Sequence, residues 1–260
     1  MIELLISMAI IATLMGLLLP ALGSARDVAK SAMCLNHLRQ FGMAATNYNH
    51  IFQDYYPFSY YITFSPRIEH NWDFTTTTDW STLPATVVVK PGMLWLEEST
   101  TTQVHQCPAF DGKSNTKADP YTGYNYNISY IGGYGSEKSY IPPARTFEVA
   151  KPSETALFGD GEYQDGANKH MRSPLYNLEP ARRVNSTPAP GDRYELRDDD
   201  YFRAAGTQGY RHHKQTNVTF CDGSARSHSE RHTNTYPAEQ VKINEYCGFL
   251  SEDNSLYDLK

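Results

Sequence analysis

Residues 4–22 read LLISMAIIATLMGLLLPAL and contain no charged side chain. A helix needs about 20 mainly apolar residues to cross the hydrocarbon core of a bilayer, so this run predicts a membrane-spanning helix. A secretory signal peptide is the alternative, because Ala21-Leu22-Gly23 resembles a small-residue cleavage site. Signal peptides also carry a basic segment before the apolar run, and here no Lys or Arg precedes it.

The helical pattern continues beyond the apolar run but changes character. From Arg26 onward, apolar or small residues recur at helical spacing while charged and amide residues fill the other positions. We expect this helix to reach about Ile51 and to end before Pro57. The sequence therefore divides into three parts: an apolar helix half in residues 1–25, an amphipathic half in 26–52 that packs on a globular domain, and that domain itself in 53–260.

The third part has the pattern of short strands between long connections. The sequence predicts strands at four places: Asn217–Cys221, where polar and apolar residues alternate, Thr155–Phe158, Tyr124–Tyr130 and, as a strand or a loop, Thr86–Val89. Asp222-Gly223 is a strong hairpin turn after one of them. Connections are expected at 56–84, 107–122, 132–153 and 161–209. The predicted fold class is α+β, with one long helix packed on a small antiparallel β-sheet that carries long loops.

Composition excludes some classes of function. The chain is 40% hydrophobic and 20% charged, which is typical of a folded protein rather than a disordered one. Its formal net charge of −6 gives no support for nucleic-acid binding, which usually needs a basic face. The 19 tyrosines suit protein–protein contacts, because the ring packs while the hydroxyl stays hydrated.

The N-terminus resembles that of type IV pilins and type II secretion pseudopilins. Met1–Ile6 places Glu3 just before the apolar run, and Pro20 and Arg26 follow. In that family a prepilin peptidase cuts before a Phe, the new amine is methylated, and a glutamate stands fifth in the mature chain. Here the glutamate is third and the proline is displaced by the same two positions. We therefore expect two residues, such as Phe-Thr, and a basic leader to precede this sequence.

Further motifs narrow the resemblance to a large pilin-like family of planctomycetes and related bacteria. They follow the order of the chain and cover most of it, although His37 and Arg39 differ from the family's pattern at their positions. The motifs are Cys34–Gly42 (CLNHLRQFG), Tyr55-Tyr56-Pro57, Cys107-Pro108, Gly123–Asn127 (GYNYN), Lys151–Thr155 with Phe158-Gly159-Asp160, and His212 followed after nine residues by Asp222-Gly223.

The resemblance implies a structural subunit rather than an enzyme. Such a subunit is anchored in the inner membrane before assembly and then polymerises with copies of itself into an extracellular or periplasmic filament or pseudopilus. Its other partners are the prepilin peptidase and the assembly machinery. Glu3 would pair with a neighbouring subunit's amine, which sets axial register. Gly16 and Pro20 would let the helix between them unwind in the filament.

Two alternatives to a major filament subunit stay open. One is a minor, membrane-anchored pseudopilin of a type II secretion system, which would have the same N-terminus. The other is a signal-anchored domain that binds carbohydrate at the cell surface. It would need a convergent pocket of polar and aromatic residues. The Tyr and Trp residues in the long loops leave carbohydrate binding open, although the sequence shows no catalytic spacing.

The cysteines are disulfide candidates if the chain is exported. The chain has four, Cys34, Cys107, Cys221 and Cys247, and no CxxC pair, so a zinc ribbon is not expected. Four cysteines allow three connectivities. One hypothesis joins Cys34 to Cys107 and Cys221 to Cys247, and the sequence does not choose between it and the others.

Two polar clusters allow a metal or an acid–base role. His212 is expected to hydrogen-bond across its hairpin to the Asp222-Gly223 turn, in preference to metal binding or acid–base work. Asp160, Glu162 and Asp165 form an acidic, glycine-rich segment that gives a calcium hypothesis, although its spacing is not that of an EF-hand.

Glycosylation is a weaker hypothesis. Asn127 and Asn185 each begin an Asn-x-Ser/Thr triplet, and a third triplet begins at Asn217 inside a predicted strand. Such a short pattern often occurs by chance. No other cofactor is expected.

Overall fold

The computed structural model describes residues 2–95, 106–113, 122–162, 166–174, 207–233 and 245–260. One α-helix, α1, runs from Ile2 to Ile51 as a continuous element with Pro20 inside it. This confirms the predicted helix and its C-terminal end. The described strands are, in chain order, β1 Tyr60–Phe64, β2 Arg67–Asn71, β3 Phe74–Asp79, β4 Thr86–Pro91, β5 Tyr124–Asn127, β6 Tyr134–Ser136, β7 Ser139–Ile141, β8 Ala156–Asp160, β9 His170–Met171, β10 Gln208–Gly209, β11 Thr216–Phe220, β12 Ala225–His228 and β13 Cys247–Gly248.

These strands form two larger sheets and one pair. The six-stranded sheet has the order β4-β3-β2-β1-β6-β7, the five-stranded sheet has the order β12-β11-β8-β5-β9, and β10 pairs with β13. Neighbours are antiparallel except for β1 with β6 and β5 with β9, which are parallel. The α+β class is therefore confirmed, but the sheets are mixed and larger than the small antiparallel sheet that was predicted.

The C-terminal part of α1 packs on the five-stranded sheet through β8, β11 and β12. Phe41 is fully buried there and makes edge-to-face contacts with four aromatic rings at centroid distances of 5.0–5.6 Å. Edge-to-face pairs add stabilisation beyond the area they bury. This aromatic cluster joins α1 to both larger sheets and to the segment after β4; the four rings are Trp72, Trp95, Tyr124 and Phe158.

Gly42 allows α1 to approach the β11–β12 hairpin closely. A Cβ at this position would lie 2.9 Å from Thr219 Cγ2 and 3.2 Å from the carbonyl oxygen of Gly223. Beside it, the Thr219 hydroxyl donates a hydrogen bond of 2.7 Å to the Leu38 carbonyl. The hairpin turn is the predicted Asp222-Gly223, and Gly223 has a positive φ of 83°.

Three predicted connections contain strands instead. The segment 56–84 holds β1, β2 and β3, 132–153 holds β6 and β7, and 161–209 holds β9 and β10. Their sequences, YYITF in β1 and FTTTTD in β3, are rich in the aromatic and β-branched residues that suit a pleated surface. The ambiguous Thr86–Val89 is a strand, β4, and pairs with β3 along its whole length.

Candidate functional site

The N-terminal part of α1 is exposed over its whole circumference. Residues 2–30 are all exposed, and large apolar side chains between Ile2 and Leu22 keep 51–73% of their surface. In the described part of the chain, α1 is the one helix long and apolar enough to cross a membrane. The hydroxyls of Ser7 and Thr13 donate to the carbonyls of Glu3 and Ala9 at 2.8 Å, so these two polar groups are satisfied inside the helix.

The three predicted assembly residues all lie on this exposed part. Glu3 is in the first turn of α1, where the helix dipole favours an acid. Gly16 has no atom within 4 Å of the place where its Cβ would stand. Pro20 lies inside the helix near the end of the apolar run. Their assembly roles stay predictions.

A second candidate site lies buried where α1 meets the sheets. Cys34, Cys107, Asp160 and His212 each offer one metal-ligating atom, and these four atoms lie within 4.8 Å of one another. The first three residues are 0% exposed and His212 is 3% exposed. His212 Nε2 is 3.3 Å from Asp160 Oδ2 and 3.8 Å from Cys107 Sγ. We call these four residues the buried cluster.

Four separate elements supply the cluster. Cys34 stands on α1, one turn before the buried Leu38. Cys107 is held by its own N–H, which donates to the Thr122 carbonyl at 3.1 Å just before β5. Asp160 is the last residue of β8. Residues 34, 107 and 160 are thus far apart in the chain and are brought together by the packing of α1 on the five-stranded sheet.

His212 is fixed by a tight turn that precedes β11. Its backbone exchanges two hydrogen bonds with Gln215, at 3.1 and 3.0 Å. The two residues between them, His213 and Lys214, have positive φ values of 52° and 64°. This turn points the chain back into β11 and presents the imidazole to Asp160.

Charged and polar groups surround Asp160. Its Oδ2 accepts the backbone N–H of Asn217 at 2.7 Å, and its Oδ1 is 3.5 Å from Arg211 Nη2. Arg211 also donates through Nη1 to Glu162 Oε2 at 2.8 Å and bonds the carbonyl of Gly123. The guanidinium therefore holds the carboxylates of Asp160 and Glu162 side by side.

The environment shifts the pKa values of the cluster strongly. Burial raises the pKa of Cys34, and the neighbouring Cys107 adds to this effect. Burial also acts to raise the pKa of Cys107, but hydrogen bonding and the charges of Arg211 and His212 outweigh it and lower that pKa well below its usual value. Burial acts to lower the pKa of His212, yet hydrogen bonds with Asp160 and Cys107 raise it to about 9. Burial raises the pKa of Asp160.

The arrangement differs from a nucleophilic catalytic triad. A triad uses one imidazole nitrogen for the nucleophile and the other for the carboxylate. Here the same atom, Nε2 of His212, approaches both Cys107 and Asp160. The four side chains are also shielded from solvent, so the cluster suits ligation or structural bonding better than attack on a substrate.

A cavity of about 450 Å³ reaches the cluster from one side. Its lining is polar and aromatic and includes both His212 and Arg211. It also includes Asp27 and Lys30 of α1, which lie at the C-terminal end of the exposed part of the helix. The cavity therefore connects the buried cluster with the surface next to the apolar run.

The structure brings the first predicted cysteine pair together. Cys34 and Cys107 lie side by side in the buried cluster, whereas Cys221 lies beside the hydroxyl of Tyr56 and Cys247 lies in β13. Cys34, Cys107 and Cys221 carry free thiols in this structure. The disulfide hypothesis stays a prediction for both pairs.

The hairpin prediction is correct for the turn and wrong for His212. Asp222 and Gly223 connect β11 to β12, and Asp222 Oδ1 accepts the N–H of Ser224 at 2.8 Å. His212 instead faces Asp160 and Cys107, because its turn lies at the opposite end of β11.

Two of the three acids in the calcium hypothesis already lie next to a positively charged side chain. Asp160 is completely buried, and both it and Glu162 lie against Arg211. Asp165 lies outside the described residues, so the proposed three-acid site stays a prediction.

Glycosylation of Asn127 is contradicted. Asn127 is 0% exposed in β5, and its Nδ2 donates to the carbonyls of Ala156 at 2.9 Å and Tyr257 at 2.8 Å. A glycan would break both bonds and has no space there. Asn217 is equally buried, and Asn185 lies outside the described residues.

The sequence predicts a meeting of Cys34 with Cys107 but not of all four residues in the buried cluster. The four residues stand in separate motifs, and three different roles are expected for them: a disulfide for the two cysteines, calcium binding for Asp160 and a hairpin contact for His212. A usable signal was present, because every one of these motifs contributes a residue type that ligates metals. The comparisons with known proteins add no further assignment: no protein-family model, curated protein or solved structure matches this chain.

Proposed function

We propose that this chain is a structural subunit of a type IV pilus-like filament or pseudopilus, held in a membrane before assembly and polymerised through α1. The observation that carries the proposal is the exposure of residues 2–30 on a helix whose C-terminal part is built into the globular core. An apolar surface of this size has to be covered by lipid or by protein. Copies of the same helix offer that cover after extraction from the bilayer.

Three features support a helical polymer over a simple anchor. Glu3 stands at the start of the apolar run, where an unpaired acid is costly and a partner in a neighbouring subunit would fix register. Gly16 and Pro20 weaken the same stretch of helix. The order of the motifs along the chain resembles the pilin-like family throughout.

Electron cryo-microscopy of material sheared from the producing cells tests the proposal. We expect thin filaments with a core of packed helices into which residues 2–30 can be traced. In the variant Glu3→Ala we expect these filaments to be lost while the chain stays in the membrane fraction and its globular part unfolds at an unchanged temperature. Glu154→Ala, which removes an exposed acid from the globular part, is the matched control and should leave filaments intact.

Other results would redirect the proposal. Chains found in membranes of wild-type cells without any filament would favour the minor pseudopilin or the anchored surface domain. Filaments that persist in Glu3→Ala would remove the register role of that carboxylate while keeping the subunit function.

A further inference from the structure

We propose that Cys34, Cys107, Asp160 and His212 bind one divalent transition-metal ion, and that zinc is the ion this donor set favours. The inference does not depend on filament assembly. It assigns a structural metal to the place where α1 joins the sheets, and the site would exist in a monomer, a filament or an anchored domain.

The geometry is close to that of a four-coordinate site. Zinc bond lengths of about 2.0–2.3 Å place the ligand atoms of a tetrahedron roughly 3.3–3.8 Å apart. His212 Nε2 lies 3.3 Å from Asp160 Oδ2 and 3.8 Å from Cys107 Sγ. No separation among the four ligand atoms exceeds 4.8 Å, so shifts on the order of 1 Å close the site around an ion.

The donor chemistry selects the class of ion. Two thiolates, an imidazole and a carboxylate suit zinc, which takes sulfur, nitrogen and oxygen ligands in tetrahedral sites. Calcium and magnesium prefer all-oxygen sites with more ligands. The buried cluster offers two sulfur atoms, from Cys34 and Cys107, so these hard cations are not the expected occupants.

The charges of the site also fit a divalent cation. Two thiolates and the Asp160 carboxylate are negative, and burial of such groups is costly unless a cation compensates them. A zinc ion balances two of these charges, and Arg211, 3.5 Å from Asp160 Oδ1, lies next to the third. Asn217 N–H, at 2.7 Å from Oδ2, orients the carboxylate as outer groups do around metal ligands.

A disulfide between Cys34 and Cys107 is the competing arrangement. It would use two of the four residues and leave His212 and Asp160 as a separate buried pair. It gives no reason for one imidazole nitrogen to face a cysteine sulfur and a carboxylate oxygen together. A metal ion uses all four groups, which is why the geometry favours it.

The expected role is a clamp rather than a reaction centre. All four ligands come from the protein and are buried, which is typical of structural zinc sites. The ion would cross-link α1, the segment before β5, the end of β8 and the turn before β11. It would therefore fix the helix on the sheet near the base of the exposed part of α1.

Metal analysis of the purified full chain tests the inference. The chain is extracted from membranes in detergent, without chelators and under reducing conditions, and its zinc is measured by inductively coupled plasma mass spectrometry. We expect one zinc per chain, and at least a tenfold lower content in Cys107→Ser and in Asp160→Asn. Cys247→Ser removes a buried thiol outside the cluster and should keep the full zinc content.

A measurement on the unmodified chain covers the case in which the variants fail to fold. Zinc is removed and replaced by cobalt, whose absorption reports thiolate ligation and tetrahedral geometry. Cobalt–thiolate charge-transfer bands with intense tetrahedral bands support the site. Absent bands, or a Cys34–Cys107 disulfide found by non-reducing peptide mass mapping of freshly isolated protein, overturn it. Zinc-free filaments would overturn this inference and leave the subunit proposal standing.

Discussion

The N-terminal and C-terminal parts of α1 have the same helical geometry but different surroundings. Residues 2–30 are exposed on every side, whereas the later part buries one face. The buried positions recur at helical spacing, so they form one stripe along this part of the helix: Cys34, Leu38, Phe41, Gly42, Ala45 and Asn49. The more apolar part is thus the less buried one. Its cover has to come from outside the chain, while the cover of the striped part comes from the chain's own sheets.

The largest expected effect on stability comes from removing the Phe41 side chain, which packs the later part of α1 against the sheets. Phe41→Ala empties a fully buried site surrounded by aromatic rings, so we expect the free energy of unfolding to fall by about 3–5 kcal/mol. Urea unfolding of the full chain in detergent, followed by tryptophan fluorescence, measures it. Trp72 and Trp95 contact Phe41 and report the change directly.

The matched control uses the exposed part of the same helix. Leu14 is 55% exposed, and Leu14→Ala should leave the urea midpoint of the globular part unchanged. Equal destabilisation by Leu14→Ala and Phe41→Ala would show that the two parts do not differ as described.

A charge placed in each part separates them by membrane affinity. Ile10 lies in the middle of the apolar run, and a Lys at the centre of a spanning helix costs about 2.5–3.5 kcal/mol. We expect Ile10→Lys to shift the chain out of the alkali-resistant membrane pellet. Val28→Lys, between Arg26 and Lys30, is the control and should stay in it. Retention of both variants would argue against membrane insertion of the run.

The sequence predicts the long helix well because its two parts have strong and different patterns. The helix end near Ile51 follows from local periodicity and the approach of Pro57, which are properties of neighbouring residues. The six-stranded sheet is harder to predict, since β1 pairs in parallel with β6 although residues 65–133 lie between the two strands. Pairing at such separation depends on tertiary packing, and single segments such as YYITF do not encode their partner.

The two candidate sites also differ in how far the sequence predicts them. Exposure of Glu3, Gly16 and Pro20 follows from the apolar run alone. The buried cluster does not, because its four residues meet only after α1 has packed on β8 and β11. Local spacing assigned His212 to the nearest turn signal in its motif, whereas the fold turns its ring toward Asp160.

Lowering the pH should destabilise the globular part. The apolar run should be unaffected, because it has no titratable side chain between Leu4 and Leu22. Burial, with the charges of Arg172 and Lys169, lowers the pKa of His170 from 6.5 to about 3. Below pH 6.5 the unfolded chain therefore binds more protons at this ring than the folded chain, and stability is lost progressively as the pH falls from 6.5 toward 3. Because the residue is partly exposed, we expect a loss of about 1–3 kcal/mol.

Urea titrations at a series of pH values measure this effect. His170→Gln keeps a neutral polar side chain. The difference between wild type and variant therefore gives the contribution of the His170 ring to the pH dependence of stability, separate from that of other buried titratable groups. Parallel pH profiles of the two proteins would exclude His170 as a source of acid sensitivity.

The smallest expected effect comes from one substitution made in each part of the helix. Alanine at Gly42 would place its Cβ 2.9 Å from Thr219 Cγ2, and Thr219 is held in place by its hydrogen bond to the Leu38 carbonyl. Alanine also favours the helix by roughly 0.5–1 kcal/mol over glycine. Because the crowding outweighs this gain, we expect Gly42→Ala to destabilise the chain by about 1 kcal/mol.

Gly23→Ala reverses the sign of that effect, because no atom lies within 4 Å of the new Cβ. Only the gain in helix propensity is then left, so helicity measured by circular dichroism should rise slightly while the urea midpoint of the globular part stays constant. A stabilising Gly42→Ala would mean that α1 lies farther from the β11–β12 hairpin than the Cβ geometry requires. The opposite signs of two identical substitutions would locate the boundary between the exposed and the packed parts of α1 between residues 23 and 42.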